Sequence, residues 1–411
     1  MLSRPSRLVF NIGSRGGQLS RAVVRQRTSA AHLRTTAVQS EFSRLAHSLP
    51  ASYIKVNKWN KAVTEAEKLV GYPTSYMSLR SLMSDDITNM AVHMRKIVGS
   101  DHPVLKTAKR LLYYGKNNMQ VRGLLVLLLS RAAGDRRGAQ EANFTSEIID
   151  EQRKLAEIVE MIYSAQNIHQ SVVNIPVNIQ LEPDLEIRNV LGQLEYGNKI
   201  SILSGDYLLA NACTGLAALR ITKIVELVSV AIVEFTQAEF LGVQDPMGRG
   251  IPTPDYLTQE HWEKKWRLST GSLLGAGCES AMLVAEQEES VQLAAKQLGI
   301  YTALAIQAHD EMKLFTVDGG LGYGSPFSLC SAPVIFHLQS DPQLLDYIQQ
   351  YNTDLSQVDY KRVLNSVLEG DGLEKTRDIC QNYVDLALKE LRNFPDNEGR
   401  QGFKNILLSL L

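Results

Sequence analysis

The sequence predicts an all-α protein built as a single large helical domain. Three observations carry that expectation. From about Tyr53 onward, apolar residues recur at spacings of three and four in segment after segment, with short breakers between them. Few segments alternate with period two. Thirteen prolines and scarce runs of β-branched residues point the same way.

Taken in order, the first clear helical pattern ends at Val63 to Val70, where Gly71, Tyr72 and Pro73 interrupt it. Ser84, Asp85 and Asp86 then open a helix that runs to about Val98. Further helices are predicted at roughly 103–114, 118–133, 146–173, 197–219, 221–242, 258–285, 288–315, 340–351, 357–367, 372–391 and 399–411. The breakers around Arg136, Pro183, Gly248 to Pro254 and Gly319 to Pro326 supply the Gly, Pro and Asp that end helices. No repeat of fixed period occurs, which argues against a solenoid.

Composition bounds the function. With 411 residues, 44% hydrophobic and 21% charged, the chain can bury a large core. Its longest uninterrupted aliphatic run, Leu124 to Leu129, is far below the roughly 18 residues of a membrane span, so membrane contact is expected to be peripheral at most. Residues 1–40 hold seven arginines and no acid, since the first acid is Glu41. That bias, rich also in Ser and Ala, is that of a mitochondrial transit peptide, and it implies a matrix location for a body spanning 41–411. Without those seven arginines, 36 of the 43 basic residues face 44 acidic ones, a net charge of −8. Such a body has no electrostatic footprint for nucleic acid. Cys213, Cys278, Cys330 and Cys380 are 65, 52 and 50 residues apart, so they read as free thiols rather than a zinc or redox set.

Two stretches carry chemistry. In Lys296 to Phe315, Gln307, Asp310 and Glu311 sit at i, i+3 and i+4 and share one face of an otherwise apolar helix. They read either as a metal or diphosphate site or as the wet edge of that helix. In Gly197 to Ala212, GNKISILSGDYLLANA, Gly205 interrupts a well-formed amphipathic helix at a cost of about 1 kcal/mol, so something is expected to pack close to it. Asp85, Asp86 and Asn89 spell DDxxN at a helix start, where capping explains them better than magnesium. His102 before Pro103 reads as a loop residue.

The Gly197 to Ala212 helix resembles the GDxLLA stretch of the all-trans polyprenyl-diphosphate synthases. The run from Val70 to Asp86, VGYPTSYMSLRSLMSDD, resembles the divergent second subunit of the heteromeric decaprenyl-diphosphate synthases. The resemblance extends over most of the chain after about Lys58. It implies two aspartate-rich motifs, a basic motif and a KT pair that together hold magnesium and prenyl diphosphates. In this sequence the first motif falls after His169, with Gln170, Ser171 and Asn174 at its acidic positions, none of them anionic at ordinary pH. Of the basic motif, Arg122 is retained as a substrate-binding candidate, while Met119 and Gln120 replace a lysine and an arginine. The KT pair becomes Ser269 and Thr270. In the second motif Gln307 is a substrate-binding candidate, Asp310 and Glu311 are metal-binding candidates, and Leu314 replaces the third acid.

Ionising an allylic diphosphate calls for magnesium held between two facing carboxylate clusters. With one cluster lost, the resemblance implies a non-catalytic or regulatory subunit that pairs with an intact synthase subunit and supports the ubiquinone side chain. A self-sufficient prenyltransferase with a rearranged metal site and a non-enzymatic isoprenoid- or protein-binding module are the other two readings. Chain length is not legible, although Ala165 and Gln166 occupy the region that limits elongation in the family. The partner is expected on the GDxLLA helix. There Ile202, Leu209 and Leu216, with Leu203, Ala210 and Ala217 beside them, recur every seven residues, and Leu209 and Ala212 are the candidate interface residues.

Overall fold

In this computed structural model the described residues are 58–71, 103, 121–134, 148–175, 185–315 and 326–411, and all belong to the compact unit Asn57–Leu411. Helix α1 spans Lys58–Val70, α2 Val121–Ala133, α3 Asp150–His169, α4 Leu185–Leu219 and α5 Thr222–Ala238. A short antiparallel hairpin follows, β1 (Val243–Gln244) against β2 (Gly250–Ile251), with Val243 opposite Ile251. Then come α6 (Gln259–Trp266), a π-helical turn (Arg267–Gly271), α7 (Ser272–Val284), α8 (Glu289–Lys313), α9 (Ala332–Leu338), α10 (Pro342–Gln349), α11 (Tyr360–Glu369), α12 (Gly372–Leu391) and α13 (Glu398–Leu408).

The aliphatic run of α2 explains its place. All but one of its thirteen residues are buried, because a helix apolar on every side is stable only when neighbours cover its whole circumference. Those neighbours are α1, α3, α7 and α13. At its end Gly134 turns into the left-handed region at φ 71°, and the Gln287 amide donates to the carbonyls of Ala133 and Gly134. Helices α7 and α8 approach closely at Gly275 and Gly299, where a Cβ on Gly299 would lie 2.8 Å from the Leu274 carbonyl oxygen. Helix α12 covers the other side of α8.

Helices α3 and α4 pack antiparallel, and their contact answers the question Gly205 poses. A Cβ at Gly205 would sit 2.1 Å from Nε2 of His169, so the imidazole occupies the space that any larger residue would fill. The same nitrogen lies 3.3 Å from Asp206 Oδ1 and 3.3 Å from the Ile202 carbonyl oxygen. The inward stripe of α4 includes Ile200, Ser204, Leu208, Ala212 and Leu216. Ala212 is therefore core rather than surface, a correction to its place among the interface candidates, and Leu209 is half-buried. Leu203, Ala210 and Ala217 lie on the exposed side.

The structure differs from the sequence expectations elsewhere too. Helix α4 begins twelve residues earlier than expected, and its segment Ile187–Leu219 is long and apolar enough to cross a membrane by length and composition alone. A third of that window is buried in the fold, against α3. Helix α9 was not expected, nor was the hairpin. The predicted 258–285 helix is interrupted by the π turn. The helices expected at 84–98 and 103–114 lie outside the described residues, apart from Pro103.

Glu160 of α3 is fully buried and accepts the Gly123 N–H of α2 at 2.8 Å. Burial pushes its carboxyl up from 4.5 to about 7, against the lowering effects of the Gly123 bond and the nearby Arg122 charge. The folded chain thus keeps a proton there that the unfolded chain releases, so stability falls by about 3 kcal/mol as pH rises between those two values. Glu160→Gln keeps an acceptor for Gly123 and removes the titration. Its midpoint in denaturant, relative to the parent, is expected to rise between about pH 5 and about pH 8; an offset that stays constant over that range would contradict the assignment.

Candidate functional site

The second-motif face is built on the last turns of α8. Gln307 and Glu311, one turn apart, meet through a 3.0 Å bond from the Gln307 amide to Glu311 Oε1. The other Glu311 oxygen accepts two further donors, the Trp262 indole N–H of α6 at 2.9 Å and the Ala332 backbone N–H of α9 at 2.7 Å. Glu311 is buried, and desolvation raises its carboxyl above the ordinary range despite these bonds. It therefore ties α6 and the amino end of α9 to α8. The expectation that Glu311 offers a free carboxylate to a metal is corrected by this geometry, since both oxygens are already taken by protein donors.

Asp310 lies about 100° around the helix from Glu311 and is half-buried. Its charge adds to the burial that pushes the Cys380 thiol of α12 up to about 12. Leu314 is exposed. The shared polar face expected for Gln307, Asp310 and Glu311 thus holds for the bonded Gln307–Glu311 pair.

The first-motif positions lie at and beyond the carboxyl end of α3. The Gln170 amide donates to Glu239 Oε1 just past α5, at 2.7 Å. The Ser171 hydroxyl is buried and donates back to the Asn167 carbonyl at 3.0 Å. Asn174 is exposed beside Gly248 of the hairpin turn. One turn before the motif, the Gln166 amide donates to Ser269 Oγ at 3.2 Å, which joins α3 to the π turn at the degenerate KT position. Thr270, next to Ser269, is buried. A π turn opens the i→i−4 ladder locally and is frequent at functional sites. Ala165 points into a small cluster with Ile168 and Leu208.

Arg122 does not stand on an open cleft. It is 5% exposed, its guanidinium carbon lies 3.3 Å from the centre of the Tyr163 ring, and Glu160 is near enough for charge interaction. Its expected contact with substrate is therefore corrected to one inside the helix bundle. Met119, Gln120, Asp85, Asp86, Asn89 and His102 lie outside the described residues.

Magnesium, which the family resemblance implies, does not fit the residues present. The first-motif positions offer amides and a hydroxyl, Glu311 is saturated by protein donors, and Asp310 is the one other carboxylate of the two motifs. Among the described residues no group of three or more His, Cys, Asp or Glu side chains gathers to hold a metal ion. Sequence reasoning missed Trp262, Ala332 and Glu239, which complete these contacts. Only for Ala332 was there a local signal, because Pro333 marks the first turn of a helix.

Residues 188–366 match the Polyprenyl synthetase family. The chain is 36% identical over 357 residues to "All trans-polyprenyl-diphosphate synthase PDSS2" of Rattus norvegicus, covering 86% of this chain and 87% of that protein. Identity to the Homo sapiens protein of the same name is also 36%, with the same coverage. A "Probable hexaprenyl pyrophosphate synthase, mitochondrial" of Yarrowia lipolytica is 27% identical, covering 86% of this chain and 89% of that one. Among solved structures, a polyprenyl synthase from Caulobacter crescentus superposes with a TM-score of 0.58 at 18% identity over 85% of this chain and 97% of that one. A decaprenyl diphosphate synthase from Rhodobacter capsulatus superposes at 0.53 and 20% identity over 82% and 98%. The fold is the all-α isoprenoid synthase fold, and with 36% identity over an alignment that covers 86% of this chain and 87% of its relative the chain belongs to the polyprenyl synthetase family.

Proposed function

We propose that this chain is the non-catalytic subunit of a heteromeric all-trans polyprenyl-diphosphate synthase that makes the ubiquinone side chain. The observation that carries the reading is the state of the two motifs. Uncharged Gln170, Ser171 and Asn174 stand at one, and at the other Glu311 is held by Trp262, Ala332 and Gln307. A leaving diphosphate develops several charges in a largely apolar cavity, and a site with neither motif intact lacks their main stabilisation. In this reading the partner subunit holds magnesium and the prenyl diphosphates, and this chain supplies the second half of the assembly. Relatives named PDSS2, and a fungal relative named mitochondrial, support the pairing with a synthase function and a mitochondrial location. We place the chain in the matrix, with residues 1–40 as the import signal; accumulation of a chain lacking them in mitochondria would count against it.

The mature chain alone, given magnesium, an allylic primer and isopentenyl diphosphate, is expected to form no long product above background. Co-expression with a catalytic synthase subunit is expected to restore elongation. Replacing one transition-state stabiliser costs a factor of about 100 or more, and here several are missing together, so robust turnover by the chain alone would favour a self-sufficient transferase instead. A chain that binds prenyl diphosphates without restoring a partner's activity would favour a binding module.

The proposed docking surface is the outward side of α4 and α5. Ile202 and Leu203 on α4 and Val230 and Val233 on α5 are each about half exposed, and Phe240 just beyond α5 is 81% exposed. Exposed aliphatic side chains recurring along two helices form the kind of apolar surface that marks a protein interface. Leu203→Arg or Val233→Arg is expected to leave the melting temperature of the isolated chain within about 2 °C and to abolish co-purification with the catalytic subunit. Ala212→Trp, a core change, is expected to unfold the chain itself. Full activity and co-purification of a folded Leu203→Arg, Val233→Arg double variant would move the interface elsewhere.

A further inference from the structure

His337 lies in the last turn of α9, at the opposite end of that helix from the Ala332 N–H that holds Glu311. Its side chain is buried, and residues from α10, α11 and α12 or their caps meet around it. Two glycines make the room. A Cβ on Gly370 would lie 2.1 Å from Nδ1 of the imidazole, and one on Gly372 would lie 2.9 Å from Cβ of His337. Nε2 is 2.8 Å from the Ser366 hydroxyl of α11 and 3.8 Å from Oδ2 of Asp341, the N-cap of α10. Nδ1 is 4.0 Å from Oδ1 of Asp371, the N-cap of α12, and is buried without a hydrogen-bond partner.

Counting protons shows which charge state this arrangement suits. The Ser366 hydroxyl has one proton, and Asp341 Oδ2 stands 3.3 Å away to accept it. With that proton directed to Asp341, the Ser366 oxygen is an acceptor, and Nε2 of His337 must carry a hydrogen to bond it. A neutral imidazole then turns a bare lone pair at Nδ1 toward the Asp371 carboxylate. The other neutral tautomer supplies Nδ1 with a hydrogen but takes the Ser366 proton away from Asp341. Only the imidazolium, a donor at both nitrogens, matches every group. Charge points the same way. Of the helices packed against α9, α10 presents Asp341, α12 presents Asp371 and Lys375, α11 presents the neutral Ser366, and α8 meets the far end of α9 through Glu311. Lys375 lies 2.8 Å from Asp371 and holds that carboxyl below the usual carboxylate range, so it stays ionised through the pH range of histidine titration. Two carboxylates against one ammonium leave a charge of −1, which a proton on His337 cancels.

We propose that the His337 cluster is a proton-operated clamp: a proton on His337 fastens α9 to the amino ends of α10 and α12 and to α11, and loss of that proton loosens the seam. Asp341 and Asp371 surround the imidazole in the folded chain and not in the unfolded one. The clamp's contribution to stability is therefore present on the acid side of histidine titration and is lost as pH rises through it. Because α9 is seven residues long and its other end holds Glu311, a change in its seating reaches the second-motif face. The inference does not rest on the subunit reading, since it concerns the packing of four helices of this chain whatever its partner.

Nuclear magnetic resonance of the full chain carrying isotope-labelled histidine tests it, with the His337 signal assigned as the one missing from His337→Gln. Asp371→Asn, at a partly exposed position, is expected to move the midpoint of the His337 titration down by about half a pH unit or more, and Lys375→Gln to move it up. A residue that only fills space would show neither shift, and certainly not two of opposite sign. Urea unfolding supplies the second readout. The stability gap between the parent and His337→Gln, or Asp371→Asn should the first variant not fold, is expected to shrink by about half or more between about pH 6 and about pH 8.5. The Glu160 titration is common to both chains and cancels from that gap. A His337 signal that does not titrate, a midpoint unmoved by Asp371→Asn, or a gap that stays constant with pH would overturn the proposal.

Discussion

The Glu311 carboxylate is the contact on which this structure most depends. Three donors from three separate segments converge on it: an amide one turn away, an indole 49 residues earlier and a backbone N–H 21 residues later. A carboxylate buried with fewer partners would be costly, and each donor left unmatched in the interior costs about 1–3 kcal/mol. The group therefore cannot be released to a metal without loosening α6 and α9 together. A residue whose family counterpart serves chemistry has here become part of the packing, and the raised carboxyl reflects how fully water has been excluded from it.

The first-motif positions show the same replacement of charge by internal hydrogen bonds. Gln170 reaches Glu239, Ser171 bonds within its own turn, and Gln166 reaches Ser269. Neutral side chains can make these contacts without the mutual repulsion that a carboxylate cluster would suffer in the absence of cations. Hydrogen bonds thus take up the first-motif positions and Glu311, while Asp310 stays a half-buried carboxylate beside them. The His169 ring, fitted over Gly205 and beside Asp206, keeps α3 and α4 in register where the first-motif positions begin. The consequence is an all-α shell with exposed apolar side chains on α4 and α5 and, among its described residues, no cluster of side chains that gathers to hold a metal ion.

Much of this architecture was legible because helical periodicity is local. Helix α12 falls on the predicted 372–391, and the ends of α8 and α13 lie within a few residues of expectation. Gly205 was informative for a different reason: a glycine is expensive inside a helix, so its presence signals a neighbour that requires the space. The Gln307–Glu311 pair was legible from its spacing of four. Its other partners were not, because Trp262 and Ala332 reach Glu311 through the tertiary fold and no local pattern encodes that approach. The same limit explains Ala212. Heptad spacing identified an apolar helix but could not say which residues face α3, and the inward stripe follows Ser204, Leu208 and Ala212 instead. The early start of α4 was hidden by polar residues such as Arg188, Asn189 and Glu195, which lie on its exposed side.

The central claim is that neither motif of this chain retains a metal ion, and manganese titration followed by electron paramagnetic resonance addresses it directly. With the mature chain alone, the signal of the free aqueous ion is expected to grow in proportion to the manganese added, as in buffer, throughout the micromolar range. A saturable loss of that signal equivalent to about one ion per chain, abolished by Asp310→Asn in a folded protein, would contradict the account.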